Sequence, residues 1–144
     1  MRALLVLILA TSACINTPAQ GVEAPATAPS PVQQAGGEPQ EVRVGASVTV
    51  PGSNNVVTFE RVSGDSRCPT NANCIWEGDA VVVLRVTGEG SGAETLELHA
   101  NARFAQQGEA HGVKVTLERL EPYPTADRPV SADMYVAHLR IASQ

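Results

Sequence analysis

Val42-Arg43-Val44-Gly45-Ala46-Ser47-Val48-Thr49-Val50 sets Val42, Val44, Ala46, Val48 and Val50 at every second position, with polar residues or glycine between them. Side chains of an extended strand alternate between two faces, so this spacing predicts one half-buried strand; a helix would repeat every 3.6 residues or so. Pro51-Gly52-Ser53-Asn54-Asn55 follows and has the composition of a turn. Val56-Val57-Thr58-Phe59-Glu60-Arg61-Val62 then predicts a second strand that pairs back on the first as a hairpin.

The same period extends down the chain. Ala80-Val81-Val82-Val83-Leu84-Arg85-Val86 is apolar on both faces for most of its length, which suits a central strand covered on each side or the core of a sandwich. Thr87 to Gly92 interrupts it, and Glu94-Thr95-Leu96-Glu97-Leu98-His99 alternates again. Ala100 to Gln107 reads as a short helical turn. Val113-Lys114-Val115-Thr116-Leu117 puts three apolar residues on one face, Pro122-Tyr123-Pro124 ends that run, and Tyr135 to Ile141 forms a last strand. With no amphipathic helix in the pattern, the expected fold is all-β: a single antiparallel β-sandwich or small β-barrel of about 6–8 strands.

The chain begins Met-Arg-Ala-Leu-Leu-Val-Leu-Ile-Leu-Ala, one positive charge ahead of an apolar run, followed by Thr11, Ser12 and Ala13 just before Cys14. This is the layout of a secretory signal, and the run is far short of the ~20 residues that a helix needs to span a bilayer. Small residues leading into a cysteine resemble the lipobox of bacterial lipoproteins, although Thr11 stands where that family usually has a large aliphatic residue. The resemblance implies a signal peptide over residues 1–13 and a mature N-terminus at Cys14 carrying diacylglycerol and a further acyl chain such as palmitate, with soluble secretion as the alternative. Ile15 is not the Asp of an inner-membrane retention signal, so in a Gram-negative cell the expected address is the outer membrane, facing the periplasm.

Residues 14–41 then form a lipidated cysteine and a flexible tether. Their Pro, Ala, Gln, Gly and Thr, as in Pro25-Ala26-Thr27-Ala28-Pro29-Ser30-Pro31, bury too little surface to offset ordering entropy. Residues 42–144 are left as one all-β domain. Three cysteines are an odd number for an exported chain. Acylation of Cys14 leaves one pair, Cys68 and Cys74, close enough to form a disulfide that closes a ring worth about 2 kcal/mol of chain entropy.

Charge excludes one class of partner. The chain has 10 Lys+Arg against 15 Asp+Glu, and loss of Arg2 with the signal leaves 9 − 15 = −6. An acidic chain with a single lysine, Lys114, and no basic cluster is not a nucleic-acid binder, and its membrane contact is expected to run through the N-terminal lipid.

One segment is not generic: Asp65-Ser66-Arg67-Cys68-Pro69-Thr70-Asn71-Ala72-Asn73-Cys74-Ile75-Trp76-Glu77-Gly78-Asp79. With Phe59 and Val62 before it, and Pro122-Tyr123-Pro124 and the Tyr135 strand after it, it resembles a family of small bacterial secreted proteins and lipoproteins with an Asp-Ser-Arg-Cys-Pro element followed by Cys, Trp and Gly. The resemblance implies an exported β domain with a disulfide loop and no transferable activity.

Three readings of the loop stand side by side. It is a staple, with Cys68–Cys74 and a packed Trp76 supplementing a small core. It is a recognition surface, with Arg67 and a part-exposed Trp76 as anchors on a rigid loop. Or Asp65, Glu77 and Asp79, with the Asn71 and Asn73 amides, gather oxygen ligands for calcium, though not at EF-hand spacing. A zinc site lacks a nearby His, and no Gly-x-Ser-x-Gly elbow is present. A hydrolase would have to unite Ser66 or an acid with His99, His111 or His138. The sequence therefore favours a non-catalytic domain, without cofactor, that binds an envelope protein or glycan, with a hydrolase or a calcium-stabilised domain as alternatives.

Overall fold

In the computed structural model, which describes residues 37–144, the Val42–Val50 run is two strands rather than one. Ala46 N–H donates to the Arg43 carbonyl at 2.9 Å and Gly45 takes φ +82°, closing a tight turn at a position that a residue with a Cβ resists. The arms are β1 (Gln40–Arg43) and β2 (Ser47–Thr49), and they belong to different sheets. The turn stitches those sheets together: Val44 N–H reaches the Tyr135 carbonyl at 3.1 Å, and Gly45 N–H the Phe59 carbonyl at 2.7 Å. Alternation could not reveal the break, because the apolar faces of both arms point into the same core.

The other strands are β3 (Val56–Asp65), β4 (Ala80–Thr87), β5 (Ala93–His99), β6 (Gln107–Ala110), β7 (Val113–Glu121) and β8 (Val136–Ser143). They form two four-stranded sheets, ordered β1-β8-β7-β6 and β2-β3-β4-β5, with every pairing antiparallel. The expected hairpin is present, with Ser47 opposite Thr58 and Thr49 opposite Val56. Within each sheet consecutive strands pair, and β8 returns to β1, yet no ladder joins β1 to β2 or β5 to β6, so the architecture is a sandwich and not a closed barrel.

The core lies between the sheets. Phe59, Leu84 and Leu98 from one and Leu117 and Leu139 from the other are its largest fully buried side chains, all within one apolar cluster. β4 explains its two-sided pattern: Val82, Leu84 and Val86 enter that cluster, and Val83 on the opposite face is also fully buried. Ala100 to Gln107 is not a helical turn. Asn101 to Phe104 makes one turn, closed by Phe104 N–H on the Asn101 carbonyl at 3.0 Å, and β6 begins at Gln107. The expected signal peptide, Cys14 and most of the expected tether lie outside the described residues.

Candidate functional site

β3 and β4 are paired from Val56 opposite Thr87 up to Asp65 opposite Ala80, and the segment between them extends the same hairpin. Ser66 N–H donates to the Asp79 carbonyl at 2.7 Å and Cys68 N–H to the Glu77 carbonyl at 2.8 Å. The Ser66 hydroxyl strengthens this stem by donating to the Asp79 carbonyl at 3.1 Å and accepting Asp79 N–H at 3.2 Å. Beyond the stem Cys68 and Cys74 are joined in a disulfide, their Cα atoms 5.9 Å apart.

Gly78 makes the narrow stem possible. It takes φ +72°, and a Cβ there would lie 1.8 Å from the Ser66 carbonyl oxygen, far inside van der Waals contact. The buried Asn101 amide donates to the Gly78 carbonyl at 2.7 Å.

Arg67 points inward and is only 7% exposed. Its Nε and Nη2 donate to the two Asp65 carboxylate oxygens at 2.9 and 2.6 Å, a bidentate pair. Nη1 donates to the Leu120 carbonyl at 2.7 Å and Nη2 also to the Pro122 carbonyl at 3.0 Å. The side chain therefore caps the carbonyl edge at the end of β7 and ties the loop to the opposite sheet. The Tyr123 ring covers the guanidinium, with 4.9 Å from Cζ to the ring centroid.

Asp65 is correspondingly saturated: it also accepts Arg67 N–H at 3.1 Å and the Tyr135 hydroxyl at 3.0 Å. Burial pushes its carboxyl up, but the Arg67 hydrogen bonds and charge, with the Tyr135 hydroxyl, outweigh burial and hold it below the usual carboxylate range. Burial first, and then the Asp65 carboxylate, push the Tyr135 hydroxyl up to about 12.

The first arm of the loop is docked. Thr70 N–H donates to the Pro124 carbonyl at 3.1 Å, while the Asn71 amide accepts Ala126 N–H at 2.7 Å and donates to Asp127 at 3.2 Å. The second arm is not. Among the described residues Asn73, Cys74, Ile75 and Trp76 have no hydrogen-bond partner, so the sulfur bridge is their one cross-link to the first arm. Ile75 is fully exposed and Trp76 is 53% exposed.

The three candidate calcium carboxylates are turned to different tasks. Asp65 faces Arg67, Glu77 lies exposed on the stem, and Asp79 accepts Asn101 N–H at 3.0 Å while its other oxygen meets His99 Nδ1 at 2.6 Å. Among the described residues no three His, Cys, Asp or Glu side chains converge as metal ligands. Of the histidines only His99 comes to the loop. His111 lies in the β6–β7 turn with φ +51°, and His138 contacts Glu121 at 3.1 Å on β8. The Ser66 hydroxyl bonds to backbone and to no histidine.

Beside the stem is a shallow cleft of about 260 Å³, lined among others by Arg67, Glu77, Asn101, Leu120 and Tyr123. Most of its polar groups already have internal partners. Sequence reasoning missed the parts played by Tyr135, Tyr123 and Asn101, whose partners are distant in the chain; a Tyr at the head of a strand carried no signal of its hydroxyl's destination. No family model, curated protein or solved structure matches the chain.

Proposed function

We propose that this chain is a cell-envelope lipoprotein whose β-sandwich binds an envelope partner, a protein or a glycan, through the tip of the disulfide-closed loop, without catalysis. One contrast carries the reading. Asp65, Arg67 and Asp79 are turned to partners within the protein and Gly78 is buried against the stem, whereas Ile75 and Trp76, the large apolar pair of the same loop, face solvent. An apolar pair on a stapled hairpin loses little conformational freedom when a partner covers it, and large aromatics dominate binding energetics. The sequence reading named Arg67 as a second anchor; its burial under Tyr123 moves that role to Ile75.

Crosslinking in the native cells identifies the partner, and the purified pair tests the site. Ile75→Ala with Trp76→Ala should weaken binding by at least about tenfold, as expected for a hot spot; unchanged affinity rejects the tip. Anchoring through Cys14 is tested separately: Cys14→Ala should move the protein from the membrane fraction to the soluble one, and intact-mass analysis should find no acyl chains.

A second reading, an envelope hydrolase, draws support from the Asp79–His99 contact, because a carboxylate on Nδ1 orients an imidazole as a general base. It predicts hydrolysis of an envelope ester or amide that His99→Ala abolishes while binding at the tip persists.

A further inference from the structure

We infer that the Cys68–Cys74 disulfide is a redox-sensitive latch on the binding tip: oxidised, it holds Ile75 and Trp76 on the stem; reduced, it frees them while the sandwich stays folded. This rests on the binding role proposed above and adds its regulation.

The two arms of the loop are held very differently. Thr70 and Asn71 are fastened to Pro124, Ala126 and Asp127 by main-chain and side-chain hydrogen bonds that do not involve sulfur. From Asn73 to Trp76 the chain has no such bond among the described residues; it is next held at Ala72, whose N–H donates to the Pro69 carbonyl at 3.0 Å, and at Glu77, whose carbonyl accepts the Cys68 N–H at 2.8 Å, so the disulfide is the one cross-link within these four residues. Cutting the bridge therefore releases one arm and leaves the other in place.

The apolar core of the body lies outside the loop. None of the residues from Ser66 to Asp79 belongs to the apolar cluster between the sheets. The inter-sheet tie at this end is the Arg67 guanidinium on Asp65, Leu120 and Pro122, which lies on the body side of Cys68. Ser66 and Asp79 close the stem below it with three further bonds.

The bridge is also reachable. Cys74 is exposed and Cys68 half-buried, so an incoming thiolate meets the Cys74 side at the surface. A dithiol reductant of the Cys-x-x-Cys class would attack the Cys74 sulfur, form a mixed disulfide there and expel the Cys68 thiolate, which takes up a proton. The second thiol of the reductant then displaces Cys74 as the second free thiol, and the reductant leaves as its own disulfide, so two electrons and two protons have moved to this chain.

Trp76 is the single tryptophan, which makes it a direct reporter. The experiment treats the purified full chain with reduced thioredoxin, without denaturant, and follows Trp76 fluorescence anisotropy, exchange of the Cys68 amide, and far-UV circular dichroism. The expected result is free thiols at Cys68 and Cys74, lower anisotropy, at least about tenfold faster exchange at Cys68 and an unchanged β spectrum, all reversed on reoxidation. The double variant Cys68→Ser with Cys74→Ser should show the freed tip permanently. The latch is overturned if the bond resists the reductant, if anisotropy and exchange stay the same, or if the sandwich unfolds with the bridge.

Partner binding separates the two proposals. If the Ile75 and Trp76 substitutions abolish binding but reduction leaves it intact, the latch fails and the tip stands. If reduction frees the tip but those substitutions leave binding unchanged, the tip assignment fails and the conformational release stands.

Discussion

Arg67 and Asp65, two residues apart at the end of β3, form a bidentate ion pair in which the arginine is buried and the aspartate half-buried, and the arginine also bonds the Leu120 and Pro122 carbonyls. Removing the arginine leaves a half-buried carboxylate without its counter-charge and the Leu120 and Pro122 carbonyls without their donor. Arg67→Ala is expected to destabilise the domain by about 3–5 kcal/mol in urea unfolding. Arg67→Lys should recover little, because a single ammonium cannot reproduce the planar fork.

The same cluster sets the pH dependence. The Asp65 carboxyl is held below 3.8, so its contribution to stability is complete above that value and is lost as pH falls through the folded-state pKa. Tyr135 has the opposite sign: its hydroxyl is raised from 10.0 to about 12, so its contribution is complete below 10.0 and declines as pH rises toward about 12. Thermal melts across pH should lose the acid limb in Asp65→Asn, and Tyr135→Phe should flatten the alkaline limb.

Two glycines with positive φ separate strain from collision. Gly45 has open space around it, so Gly45→Ala should cost about 1–2 kcal/mol for its left-handed backbone alone. Gly78→Ala would drive a methyl group into the Ser66 carbonyl and is expected to cost more than about 4 kcal/mol. Similar midpoints for the two variants in chemical denaturation would contradict the geometry of the stem.

Ile75→Ala and Trp76→Ala should leave stability within about 0.5 kcal/mol of the parent, because both side chains are exposed. A large loss of stability in either variant would mean that the tip packs on the domain and is not free for a partner.

Strand periodicity in the chain itself established the all-β class, the β2–β3 hairpin and the central place of β4, because a period of two and a doubly apolar run are local consequences of backbone geometry. The same local logic could not see β6. Gln107-Gly108-Glu109-Ala110 has no large apolar residue, and it becomes a strand because β7 offers it a ladder. Nor could alternation show that Val42–Val50 divides at Gly45 between two sheets, since either arm satisfies the same pattern. Composition brought Cys68 and Cys74 forward as a pair, and the fold joins them.

At the loop, residue types announced a special segment but not the direction of its side chains. An arginine between aspartate and cysteine reads equally as a surface anchor or a buried clamp. The outcome depends on Leu120, Pro122, Tyr123 and Tyr135, more than 50 residues away in the chain, whose carbonyls, ring and hydroxyl converge on one guanidinium and one carboxylate. Tertiary structure alone turned Arg67 inward and left Ile75 and Trp76 outside, because burying a charge is tolerable only where distant partners already wait for it.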